Sequence, residues 1–423
     1  MSKFLREVFQ PFLRIESSIR MLVLGDLFLQ FGNVALFLLL NYYLMDLGYE
    51  DAQIASLHST RYFGVILFAL PFGMYIRGKR LRPVMQLGAI LTPIFGLLLI
   101  LSIDTSSVLI QKACFMSWGI SFLLFHVPGM PYILKTAKAE NHTASITLYF
   151  QTFSLATLTV GILVFFLRSG SLQFDLKNVL LAFNFISFLG FVFLLRLPKH
   201  ELNVQKKRSL GQNSLSSVEH EDIRRITWAI LPTLLIAVGA GLTIPFINMF
   251  FAKVHGLRDA NFALFGALSH VLVMITATFI PTIKKHLGYV TGITGLQSVG
   301  VLILIVLGTT QFYADMPWAL PIALGAFMIR QPLMNCAGPL TTEVSMYYVG
   351  ERNRELVASV QSAIWSGSWF FSSMIFGELR DYGIDYVFII LATASIYVLG
   401  VIGYHKLIRR LEREGRYEDR TTQ

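Results

Sequence analysis

Apolar residues along this chain gather into runs of about 20, the length an α-helix needs to cross a hydrocarbon core. Twelve such runs are separated by short polar breaks, and they fall into two sets of six. The first set lies at roughly 20–43, 54–76, 84–103, 108–134, 144–168 and 177–196. The second lies at roughly 226–252, 261–283, 289–310, 316–340, 355–377 and 384–407. The pattern predicts an all-α polytopic membrane protein with twelve transmembrane helices in two pseudo-symmetric six-helix bundles. Residues 1–196 form the first bundle behind a short N-terminal segment, 197–225 a polar linker, 226–407 the second bundle and 408–423 a tail.

Composition agrees with a lipid exterior. The chain is 54% hydrophobic and 14% charged, where soluble proteins carry roughly a quarter charged residues. Only Cys114 and Cys336 are present, each in an apolar run, so neither a disulfide framework nor a cysteine metal site is expected. The first residues, with Phe4, Leu5, Val8 and Phe9 among Lys3, Arg6 and Arg14, suit either an interfacial amphipathic helix or a solvated tail.

The net charge of +10 changes the picture only through its placement. Nucleic-acid binding needs basic residues gathered on one folded face, whereas here they sit in the gaps between runs. With both termini inside, 27 of the 35 basic residues fall on inside segments and six on outside edges. Positively charged loops stay cytoplasmic, so both termini are expected in the cytoplasm and the protein in the inner or plasma membrane.

The two sets are related by a near-constant offset. Asn41 to Ala55 reads NYYLMDLGYEDAQIA and Asn248 to Ala263 reads NMFFAKVHGLRDANFA, aligning Asn, Gly and Asp-Ala with one inserted residue. Pro71 pairs with Pro281, Pro131 with Pro339 and Glu140 with Glu351, at offsets of 210, 208 and 211. Structural repeats of this kind recur in transporters.

Twelve spans in two parallel halves, a basic linker and a short charged loop after the second span resemble the major facilitator superfamily of secondary transporters, over nearly the whole chain. That family's signature loop runs Gly, three residues, Asp, Arg, one residue, Gly, then two basic residues. Here Gly73 leads into Arg77, Gly78, Lys79, Arg80 and Arg82. Arg77 replaces the acid and Arg80 the second Gly, so the segment is a candidate conformational-switch loop that departs from the pattern, or an ordinary positive-inside anchor. Gly73 to Lys79 also fits the start of a phosphate-binding loop, but Arg80 stands where Ser or Thr is required and no strand precedes it.

Polar side chains within spans mark interior faces or water-filled paths. Asp26, Gln30, Asn33 and Asn41 share one face of the first span. The resemblance implies that spans one, four, seven and ten line a central cavity, so this stripe faces the transport path. Asp26 is a candidate proton carrier, or a cap or pair near the surface; His126 in span four is a second proton-coupling candidate, or a helix-to-helix hydrogen bonder.

Arg330, near the middle of span ten, needs a partner or water. That partner is a substrate anion, Asp26 or a backbone carbonyl. Gln331 and Asn335, between Pro332 and Pro339, offer hydrogen bonds where the helix is expected to be interrupted. Asn248, the repeat mate of Asn41, completes the candidate substrate site, with helix packing as its plainer use.

These residues predict a secondary active transporter working by alternating access on a small-molecule substrate, with a proton as coupling ion. Arg330 and His126 favour an anionic or zwitterionic solute; the aromatic content equally suits an efflux pump for amphipathic or lipophilic compounds. A membrane enzyme would gather catalytic pairs at one depth, and a non-transporting sensor would add a soluble domain; neither feature is seen. No cofactor or metal is called for, and a monomer is expected to suffice.

Overall fold

The computed structural model describes residues 15–76, 79–105, 107–138, 141–168, 174–198, 220–349 and 354–414. The N-terminal segment to residue 14, most of the linker, Arg77, Gly78, Glu140, Glu351 and the tail after 414 lie outside the described residues.

Among the described residues, twelve helical rods follow one another, as the runs predict. They are α1 (Ser17–Asp46), α2 (Asp51–Ile76), α3 (Arg82–Ser102), α4 (Val108–Thr136), α5 (His142–Arg168) and a sixth rod made of α6 (Leu176–Ile186) and α7 (Phe188–Leu195). The seventh rod is α8 (His220–Thr243) joined to α9 (Ile247–His255), followed by α10 (Asp259–Thr278) and by α11 (Ile280–Tyr289) leading to α12 (Leu296–Thr309). The last three are α13 (Ala319–Val349), α14 (Arg354–Asp381) and α15 (Tyr386–Arg413). Helices satisfy every backbone group within their own segment, which a bilayer demands. Among the described residues, nine stretches are both long and apolar enough to span a membrane. The other three rods, α2, α13 and α14, carry Arg61, Arg330 with Gln331, or Ser362 and Ser366.

The chain divides into two compact units: residues 1–43 with 63–211, and 44–62 with 212–423. The short segment 44–62, which includes the start of α2, belongs with the second unit.

Large apolar side chains face outward, among them Leu109 at 78% and Phe185 at 70% exposure, while Asp26, Gln30 and Arg330 are buried. That inversion suits a lipid exterior and a polar interior.

Within each unit, small residues bring helices together, as they do where no hydrophobic effect drives association. A Cβ at Gly32 would come within 2.4 Å of Ser187 Oγ, and one at Gly88 within 2.6 Å of the Phe125 backbone nitrogen. In the second unit a Cβ at Gly239 would meet the Tyr397 ring at 2.8 Å, and one at Gly300 would meet Met334 Sδ at 2.9 Å. Gly32 and Gly239 are 207 apart and Gly88 and Gly300 are 212 apart. The repeat offset is thus carried by packing glycines as well as by the loop motif.

Two details differ from expectation. α13 runs unbroken through Pro332 and Pro339; each ring removes one helical hydrogen bond, a loss a long helix supported by neighbours absorbs. The interruption falls instead in the seventh rod, where Ile244–Phe246 forms a 3-10 turn around Pro245. Between α11 and α12, Gly288 takes φ 67° and a π-helical stretch, Val290–Gly295, follows.

Candidate functional site

In the first unit, the polar stripe of α1 is a hydrogen-bonded relay. Asn33 Nδ2 donates to Gln30 Oε1 at 2.9 Å, and Gln30 Nε2 donates to Asp26 Oδ1 at 3.4 Å. The helical spacing of four and three makes this possible, since residues so spaced lie one above the other. The far oxygen, Asp26 Oδ2, accepts from the hydroxyl of Thr152 on α5. Asp26 is 1% exposed, and among the described residues no basic side chain pairs with it.

Thr152 Oγ1 also lies 2.6 Å from the Tyr149 carbonyl oxygen. One hydroxyl proton therefore has two acceptors. The Tyr149 ring stacks on His126 at 6.1 Å between centroids, and His126 stacks on Phe122 at 5.5 Å. His126, exposed along α4, is thus linked to Asp26 through one turn of α5. A Cβ at Gly129 would sit 2.3 Å from Tyr149 Oη, so the glycine after Pro128 is what seats the tyrosine. Asn41 is buried farther along α1, beyond this relay.

In the second unit, Arg330 is 3% exposed. Its Nη2 donates to Tyr397 Oη at 3.3 Å, and its guanidinium lies 5.7 Å from the centre of that ring. Arg330 Nε has no hydrogen-bond partner among the described residues, and no carboxylate pairs with the guanidinium there. Tyr397 is fixed against Gly239, and one turn away Thr243 and Thr393 bond through their hydroxyls at 2.7 Å. The other α13 candidates behave differently. Gln331 is half-buried, while Asn335 is exposed and donates to the Gln331 carbonyl at 2.8 Å. Asn248 is buried just past the 3-10 turn, where its Oδ1 accepts from the Met249 amide at 3.0 Å.

The candidate switch loop is anchored on both sides. Phe72 and Ile76 before it and Leu81 and Met85 after it join one apolar cluster with Ile19 and Leu22. Arg82 Nη2 donates to the Leu195 carbonyl at 2.9 Å, and Lys79 Nζ sits 3.3 Å over the Tyr75 ring.

A second charged cluster, also in the second unit, was not singled out by the sequence. Asp51, the first residue of α2, is 5% exposed. Its Oδ1 pairs with Lys253 Nζ at 2.5 Å; its Oδ2 accepts from Arg380 Nε at 2.8 Å and Tyr386 Oη at 2.5 Å. The Arg380 guanidinium also lies 4.2 Å from the Tyr386 ring centre. Burial works to raise the Asp51 carboxyl, but hydrogen bonds from Lys253, Tyr386 and Arg380 outweigh it and hold the group below the usual aspartate range. The available signal was the repeated Asp-Ala with isolated basic residues at the ends of spans. Thr152, Tyr149 and Tyr397 gave no comparable signal, since single hydroxyls in apolar runs are unremarkable. Among the described residues, no three of His, Cys, Asp or Glu come together as metal ligands.

A family model described as the Major Facilitator Superfamily matches residues 22–373. No curated protein matches the chain. Among solved structures, a bacterial homologue of the human lysosomal transporter Spinster, inward-facing and unoccupied, is similar at TM-score 0.66 and 15% identity, covering 95% of this chain and 98% of that one. A D-xylose–proton symporter is similar at TM-score 0.72 and 13% identity, covering 91% and 96%. A POT family transporter in complex with 5-aminolevulinic acid is similar at TM-score 0.72 and 13% identity, covering 94% and 96%. At these identities the likeness is one of fold.

Proposed function

Because the chain belongs to the major facilitator superfamily, and is therefore a multi-pass transporter of the cell membrane, we propose that it is a proton-coupled secondary carrier of a small anionic or zwitterionic solute. Its neighbours in fold include a D-xylose–proton symporter, a nucleoside transporter and a POT family transporter in complex with a conjugated peptide, so the fold does not choose the cargo and the reading rests on this chain's own residues.

The observation that carries it is Arg330. A guanidinium cannot shed its proton, and burial inside a span is costly without an anion or water. Tyr397 supports it from one side and leaves Nε free among the described residues. A substrate carboxylate or phosphate supplies the missing acceptor through two parallel hydrogen bonds. Within the second unit, Gln331, Asn248 and Asn335 are taken as further polar contacts, and within the first unit Gln30, Asn33 and Asn41 are taken as candidate polar contacts of their own.

Asp26 is the proposed proton carrier. Its partners are neutral, and Thr152 serves either protonation state: it donates to the carboxylate, or accepts from the acid while turning its own proton to the Tyr149 carbonyl. Transport is taken to proceed by alternating access, with both termini cytoplasmic on the strength of the loop charges and the loop from Gly73 to Arg82 as switch. A monomer contains every residue the mechanism uses.

The test is uptake by proteoliposomes under an imposed pH gradient, with carboxylated and neutral metabolites offered side by side. Wild type accumulates a carboxylated solute, and Arg330→Ala reduces this to the level of protein-free liposomes. Unchanged accumulation in that variant would sink the anion reading.

A further inference from the structure

α15 is 28 residues long, whereas about 20 residues cross the hydrocarbon core. Its last turns, from Lys406 onward, therefore stand at headgroup depth. There Lys406, Arg409, Arg410 and Arg413, with Trp228 of α8 and Glu414, line a cavity of about 680 Å³. Arg409, Arg410 and Arg413 lie three, four and seven residues after Lys406, which keeps them on one face.

The charges are only partly balanced. Arg409 pairs with Glu412 and Arg410 with Glu414, both at 3.3 Å. Lys406 and Arg413 have no ion pair among the described residues. Trp228, 40% exposed, lies under Arg410, whose guanidinium is 5.7 Å from its ring centre. Tryptophan at a span's end marks the membrane interface. At Tyr348, burial pushes the hydroxyl up; Arg410, Arg225 and Arg224 pull it down, and Glu414 pushes it up.

We propose that this cavity is a binding site for the headgroup of an anionic phospholipid. Basic pockets at helix ends hold such headgroups, and the guanidinium groups match a phosphate's oxygens in pairs. The indole supplies an apolar floor beside the glycerol. Positive-inside anchoring accounts for the basic residues but not for their gathering about a cavity with a tryptophan at its edge. The proposal concerns the bilayer and does not depend on which solute is carried.

The test uses the full chain in vesicles of phosphatidylcholine and phosphatidylglycerol, with one or the other lipid brominated at equal mole fraction. Trp228 emission is obtained as the difference between wild type and Trp228→Phe. Brominated phosphatidylglycerol is expected to quench Trp228 more strongly than brominated phosphatidylcholine. The Lys406→Gln, Arg413→Gln double variant should lower that preference by about thirtyfold, its folding checked by the emission of the remaining tryptophans. Equal quenching by the two lipids, or a preference kept in the double variant, overturns the proposal. So does loss of the preference in excess inorganic phosphate with no effect of chloride, which assigns the cavity to a soluble anion.

Discussion

Asp26 and Arg330 are both charged groups buried on interior helix faces, one in each unit, yet their surroundings are built differently. Asp26 has both oxygens occupied, by Gln30 and Thr152, and neither partner is charged. Arg330 has a tyrosine and an unbonded Nε among the described residues. An aspartate can trade a proton without leaving its place; an arginine can only trade the anion it holds. The repeat sharpens the contrast. At the offset of 207, Asp26 aligns with Thr233, which bonds Tyr404 at 2.8 Å. At the offset of 208, Arg330 aligns with Phe122, which stacks on His126. One scaffold, duplicated, carries the acid in one copy and the base in the other, each against a neutral counterpart.

Asp26→Asn gives the largest expected effect and cuts the comparison on one side. The amide keeps the shape and hydrogen bonds of the acid but cannot carry a proton. Accumulation driven by a pH gradient should fall to that of protein-free liposomes, while counterflow of solute between equal pH compartments persists. Loss of counterflow as well would place Asp26 in solute binding, and the division between the units would collapse.

Thr152→Val is expected to act through the same coupling with a smaller effect. A hydrogen bond to a charged group is worth about 1.5–3 kcal/mol, so driven uptake should slow by roughly tenfold or more. Thr152→Ser, which keeps the hydroxyl, should restore it, and counterflow should be unaffected in both. Equal losses in the valine and serine variants would mean that the methyl group packs and the hydroxyl does no coupling.

Much of this was legible beforehand, and the rest was hidden for physical reasons. Run length gives the twelve helices because a bilayer imposes one scale on all of them. The stripe from Asp26 to Asn33 was readable because its partners are neighbours on one helix. Thr152 and Tyr397 were not, because a lone hydroxyl in an apolar run looks the same whether it faces lipid or an acid. The interruption was expected beside Pro332 and lies at Pro245, since a proline states only that one hydrogen bond is missing and its neighbours decide whether the helix breaks. Asp51, Lys253, Arg380 and Tyr386 lie too far apart in sequence for any spacing rule to join them.

That last cluster supplies the third case in the comparison and the smallest predicted effect. Asp51, unlike Asp26, is met by two cations and a phenol, so it should behave as a fixed anion rather than a proton carrier. Removing its charge in Asp51→Asn leaves Lys253 and Arg380 facing one another and should cost about 1–3 kcal/mol, read as a lower Tm in detergent. The pH dependence follows from the lowered carboxyl. A carboxyl lowered by folding contributes stability above its unfolded value, about 3.9, and that contribution is lost as pH falls through the folded value. Wild type should therefore exceed Asp51→Asn in Tm throughout neutral and mildly acidic pH, with the gap closing only below about pH 4. A gap that closes near pH 6 would show that Asp51 takes up protons in the range where a coupling site works, and the contrast with Asp26 would be lost.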